Sequence, residues 1–358
     1  MEELANKKEL LESIRLAEGK DFTYNEQAIL DSYLKKEENK SGLAIKILTI
    51  LGSFVAMLAF IAFLGIAGFY SSEAAMIFLG GLFIVLAVVT NVVKDNLIWD
   101  TFSVTIYITG FVMLVFGLFG MRMNEDMISI LVGLIAFSTL VITQNYILSF
   151  IAILTVNGSF LSLLLNTEVY DFIHIYVGVM ALMLSYVFLK EARILSSTKK
   201  LAKLYNPLRI GVVISFLIGL SMLGKKGAIA LNENYIWISS VLFIIIGMYI
   251  VHVIIKVHQI TLAKTKALLY VLSFLILLST LFSPAISGAI ILLLLSFLVN
   301  YKTGLVIGIV ALIYFVSQYY YDLSFTLLTK SILLFVSGVL FLACYVFTTE
   351  MLGNNEEI

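Results

Sequence analysis

The chain has 358 residues, of which 61% are apolar or aromatic and only 13% are charged, and its mean hydropathy is +1.05. A soluble domain carries about 25% charged residues, so this composition excludes a water-soluble globular fold. Its 23 basic and 23 acidic side chains cancel, which leaves no net field to attract nucleic acid.

Residues 1–41 are hydrophilic and read as a cytoplasmic helical hairpin, with no cleavable signal peptide expected. Leu4, Leu10, Leu11 and Ile14 share one face of its first helix, and Gly19 ends it. The segment TYNE has capping-box spacing, Thr23 and Glu26 opening the second helix. A hairpin this small buries no core alone, so it is expected to dock on itself, on the bilayer surface or on a protein partner.

From residue 42 to 349 the apolar residues fall into membrane-length blocks. The fold class expected is all-α, a polytopic transmembrane bundle of about twelve spans. They lie near 43–69, 75–93, 98–120, 127–142, 146–165, 171–189, 208–223, 235–255, 266–282, 285–299, 304–318 and 327–349. The splits at TQN (143–145) and SPAIS (283–287) are the weakest. An unbroken helix over 127–165 would be about 58 Å long, nearly twice the hydrocarbon thickness, so a turn at TQN is expected. The connection 190–209 is read as a basic loop dividing two six-span halves, and 350–358 as a cytoplasmic tail.

Loop charge sets orientation. With the amino terminus inside, the inner face collects basic residues from Lys35, Lys36, Lys40 and Lys46 to Lys256, Lys264, Lys266 and Lys302. The outer face holds Arg122, Lys225, Lys226 and Lys330. Both termini are therefore expected in the cytoplasm.

Signals for chemistry are few. The lone cysteine, Cys344, allows no internal disulfide. The three histidines, His174, His252 and His258, have no metal-site spacing, and no nucleotide or hydrolase motif occurs. No cofactor, metal or catalytic group is expected. Asn157, beside Gly158 in the fifth span, reads as interhelical glue or a substrate contact, with the glycine permitting close approach or a local break. Asp171 and His174, three apart, are expected to hydrogen-bond near the outer surface. Asp322 and Lys330 would lie about 12 Å apart on a straight helix and could pair only if the chain turns at LSFT. Pro207 and Pro284 are placed at span edges, and Gly110, Gly117, Gly120, Gly304 and Gly308 at tight helix contacts.

YYYDLSFTLLTKSILLFVSGVLFL resembles the carboxy-terminal signature of the bacterial membrane family called domain of unknown function 4401. There a tyrosine-rich turn leads through L-L-x-K-S into a glycine-containing helix. The first span, AIKILTILGSFVAMLAFIAFLGI, is similar to that family's opening helix. LAEGKDFTYNEQ resembles the prelude found there and in the related domain of unknown function 2157. The resemblance implies a bacterial cytoplasmic (inner) membrane, association with other envelope proteins, and motif status for Lys330 and Ser331, but no activity. The layout also resembles major facilitator transporters, yet TNVVKDNLIWD lacks their glycine- and arginine-rich loop motif. Two functions are expected: a transporter or flippase-like protein for a small or amphipathic envelope substrate, or a non-catalytic subunit or scaffold.

Overall fold

The computed structural model describes residues 43–68, 72–93, 97–323 and single positions between 326 and 346. The expected amino-terminal hairpin, Lys330, Cys344 and the tail 350–358 lie outside the described residues.

The described residues form helices joined by short turns and one longer loop. The helices are α1 (Leu43–Ile66), α2 (Glu73–Val93), α3 (Leu97–Gly120), α4 (Glu125–Ile142), α5 (Tyr146–Asn166) and α6 (Ile173–Leu189). Then come α7 (Glu191–Ser197), α8 (Lys199–Gly224), α9 (Ile236–Val257), α10 (Ala263–Ser279), α11 (Pro284–Leu298) and α12 (Lys302–Asp322). Each apolar span expected between 43 and 318 falls on one helix. Eight of these, α2–α6, α8, α9 and α12, are long and apolar enough to cross a membrane by length and composition. At 17 and 15 residues, α10 and α11 lie at or just below the ~17-residue lower end of the range for a crossing helix.

Local chemistry sets the ends. Asn145 caps α5, its Oδ1 accepting from the backbone N–H groups of Ile147 and Leu148 at 2.9 and 3.2 Å, so the chain turns at TQN as expected. Pro284 opens α11 at its first turn, where its missing N–H costs nothing. Pro207 departs from expectation, because it lies inside α8 and not at its edge. The connection 190–209 is likewise mostly helix. Thr198 Oγ1 accepts from Leu201 N at 3.2 Å and starts α8 early. Leu201, Leu204, Tyr205 and Leu208 then recur at helical spacing, and this amphipathic pattern outweighs the proline.

Two cores result. Ile84, Ala87, Tyr107, Leu114, Leu118, Ile128 and Leu148 form one among α2–α5. The larger runs from Leu161 and Leu164 of α5 through α6, α8, α9 and α11 to Ala311 and Phe315 of α12. Helix α8 is the hub, packing on α5, α6, α11 and α12, while α10 rests on α9. Helix α5 belongs to both cores and forms their seam. Outward faces are apolar as well: Ile175, Val179, Leu182 and Tyr186 of α6 are exposed at helical spacing. So are Val306, Val310 and Ile313 of α12. Water would not tolerate such surfaces. They belong to a multi-pass membrane protein.

Candidate functional site

Helices α4 and α5 press together along their length. Gly133 lies where an added Cβ would meet Ser159 Cβ at 3.2 Å, and Ser129 Oγ donates to Ser162 Oγ at 3.0 Å. Their contact with α3 is much lighter. A cleft of about 310 Å³ opens between the three helices. Val115 and Phe119 of α3 form one wall, and Ile128 and Val132 of α4 another. Thr155, Gly158, Ser159, Ser162 and Asn166 of α5 supply the third, with Glu125 at the mouth.

Those α5 residues recur at i, i+3, i+4, i+7 and i+11 and so occupy one helical face. From Asn166 to Thr155 that face descends about 16 Å, roughly half of a hydrocarbon core. Part of its hydrogen-bonding capacity is already used. Asn166 Nδ2 donates to Ser129 Oγ at 3.5 Å, and Thr155 Oγ1 donates to Ile151 O at 2.9 Å. The Ser159 hydroxyl, the Ser162 hydroxyl hydrogen, the Asn166 carbonyl and the Glu125 carboxylate have no partner among the described residues. In lipid, such groups gain by meeting a polar guest.

Gly158 plays neither expected part. Helix α5 continues unbroken through it, and a Cβ added there meets nothing within 4 Å. Its missing side chain simply leaves the cleft open. Asn157 points away from the cleft. Its Oδ1 accepts from Tyr176 Oη of α6 at 3.2 Å, and its Nδ2 donates to Ile153 O at 2.8 Å. The amide is glue between helices.

Asp171 and His174 do not bond to each other, because each finds a better-placed partner near the start of α9. Asp171 Oδ1 accepts from the backbone N–H of Asn232 at 3.0 Å. His174 is buried, with Nδ1 3.0 Å from Ser239 Oγ. The Ser239 hydroxyl donates to Ile236 O at 3.2 Å, so His174 Nδ1–H is the donor. Its Nε2 is buried with no partner. Asp322 does for the other end of the same loop what Asp171 does here. Its Oδ2 accepts from Lys226 N at 3.1 Å, and Gln318 Nε2 donates to both carboxylate oxygens. Ser331 Oγ donates to Leu328 O, three residues earlier, at 2.8 Å.

Residues 42–351 match the protein family described as Domain of unknown function (DUF4401). The chain belongs to that family. The DUF4401 match takes in every described helix and every candidate residue named above. No curated protein and no solved structure matches the chain.

Within the DUF4401 region the structure adds one cluster that span-by-span reading missed. Arg209 of α8 lies 3.9 Å over the Tyr301 ring and 5.1 Å from that of Tyr205. Its guanidinium also pairs with Glu191 at 3.7 Å and donates to Asn206 Oδ1 at 3.0 Å. It ties α7 and α8 to the α11–α12 turn, a packing role. The α5 polar stripe was legible as spacing, but scattered hydroxyls in an apolar span usually bond their own helix. Only the loose fit of α3 marks these as different.

Proposed function

We propose that the α3–α4–α5 cleft holds a small amphipathic envelope molecule, and that the protein carries it into or across the bilayer as a transporter or flippase-like protein. The observation behind this reading is the cleft itself, with unspent hydroxyls running inward from a mouth that bears a carboxylate and an amide. Its volume sits at the low end of the range for small-molecule sites, about 300–1,000 Å³. A headgroup with a short chain fits, and a whole two-chain lipid does not. No histidine or lysine lines the cleft to activate a serine, so carriage is favoured over catalysis. The setting we propose is a bacterial cytoplasmic membrane with about twelve spans and both termini inside, which puts the mouth on the outer face.

Gly158→Leu tests the reading, since the side chain enters open space and fills the cleft. Native mass spectrometry of wild-type protein should show a retained amphiphile that Gly158→Leu loses and Gly158→Ala keeps. Equal retention in all three would refute it. The second reading, a complex subunit or scaffold, is favoured by the close packing of the larger core. A stoichiometric protein partner found in place of an amphiphile would establish it.

A further inference from the structure

The α9–α10 hairpin concentrates positive charge with no acidic residue of its own to balance it. No aspartate or glutamate occurs between Glu233 and Asp322, while the hairpin carries Lys256, Lys264, Lys266, His252 and His258. Register shows how these meet. His252 Nδ1 and Tyr270 Oη lie 2.7 Å apart, with the two rings stacked. One turn nearer the connection on each helix stand Lys256 and Lys266, on the same faces as His252 and Tyr270. The helices run antiparallel across a short turn, so these two lysines are brought level, like charge beside like charge. Lys264 and Lys266 also occupy the first turn of α10, which has no acidic residue and no side-chain cap. The helix dipole disfavours cations there.

None of the three lysines forms an ion pair with a described residue. Beneath them the surface turns apolar: Tyr249 of α9, and Val271, Phe274 and Leu275 of α10, are exposed. Among the described helices α10 rests chiefly on α9, so this face is peripheral to the described bundle. Two level cations above a histidine–tyrosine pair, bordering a greasy face, fit a phosphate that carries acyl chains.

We propose that Lys256 and Lys266 hold the headgroup phosphate of an anionic phospholipid, with Lys264 adding charge and the His252–Tyr270 pair forming the floor. This site is separate from the α3–α4–α5 cleft and does not depend on it. Each lysine near an anionic surface contributes about a fivefold gain in binding, so removing two lowers affinity about 30-fold.

The test is thermal unfolding of the full chain in mild detergent, titrated with phosphatidylglycerol, phosphatidylcholine or inorganic phosphate. Phosphatidylglycerol should raise the unfolding temperature of the wild type, and Lys256→Gln/Lys266→Gln should need about 30-fold more of it. Lys225→Gln/Lys226→Gln, an equal loss of charge at the opposite end of the bundle, should respond as wild type does. Gly158→Leu should also respond normally, which separates this site from the cleft. A Lys256→Gln/Lys266→Gln protein that folds and responds like wild type overturns the assignment. So does an equal response to phosphatidylcholine. Stabilisation by inorganic phosphate alone overturns the lipid source.

Discussion

Alanine at Gly80 and alanine at Gly158 are the same chemical change, and the structure gives them opposite signs. A Cβ on Gly80 of α2 would stand 2.7 Å from Leu114 N, 2.8 Å from Gly110 O and 3.0 Å from Leu114 Cα. All three are backbone atoms of α3 and cannot rotate away. Restoring ordinary contact at 3.5–4.0 Å moves the helices apart by about 1 Å, and a gap that size forfeits up to half of each neighbouring contact. Gly110 and Gly117 sit in the same interface, with added Cβ atoms 2.8 Å from Gly80 O and 3.0 Å from Glu73 O. The strain therefore spreads along the pair. Overpacking costs about 1–3 kcal/mol, and better helix propensity returns about 0.5–1 kcal/mol. Gly80→Ala should thus destabilise by about 1–2 kcal/mol. At Gly158 a Cβ meets nothing within 4 Å, and only the propensity gain of about 0.5–1 kcal/mol applies. Equilibrium unfolding in mixed micelles measures both. A Gly80→Ala protein as stable as Gly158→Ala would refute the claim that α2 and α3 meet backbone to backbone.

Two further predictions concern the polar ties. Asn157→Leu and Tyr176→Phe each break the α5–α6 bond, so the double variant should cost less than the sum of the singles. The coupling should be about 0.6 kcal/mol and at most about 1.7, the span seen for hydrogen bonds between membrane helices; an additive cycle in the same unfolding assay would show the bond carries nothing. Asp171→Ala and Asp322→Ala should each free one end of the 225–235 loop. In a Cys344→Ala background, a cysteine at Ala228 should react faster with a soluble maleimide in both variants, and unchanged labelling would show that the carboxylates do not hold the loop.

Much of the architecture was legible because lipid demands long apolar helices, and composition alone reports that demand. The break at TQN followed from helix length against bilayer thickness, and Asn145 supplies its cap. The glycines of α3 and α12 read correctly as contact points, since a missing side chain between helices usually marks close approach. Pro207 misled for a physical reason: a proline stops a helix only when nothing else holds it, and Thr198 with the leucines after it holds α8.

What the sequence could not give was partnership. Asp171 and His174 have the spacing of a pair, yet backbone and hydroxyl groups near the start of α9 outcompete the bond between them. Asn157 and Gly158 are adjacent in sequence, but the turn of the helix sends one to Tyr176 and the other to the cleft. Hydropathy is a property of each segment taken alone, and the sequence determined it. Cavities and hydrogen bonds arise between segments, and only the loose packing of α3 against the α4–α5 pair left the cleft open.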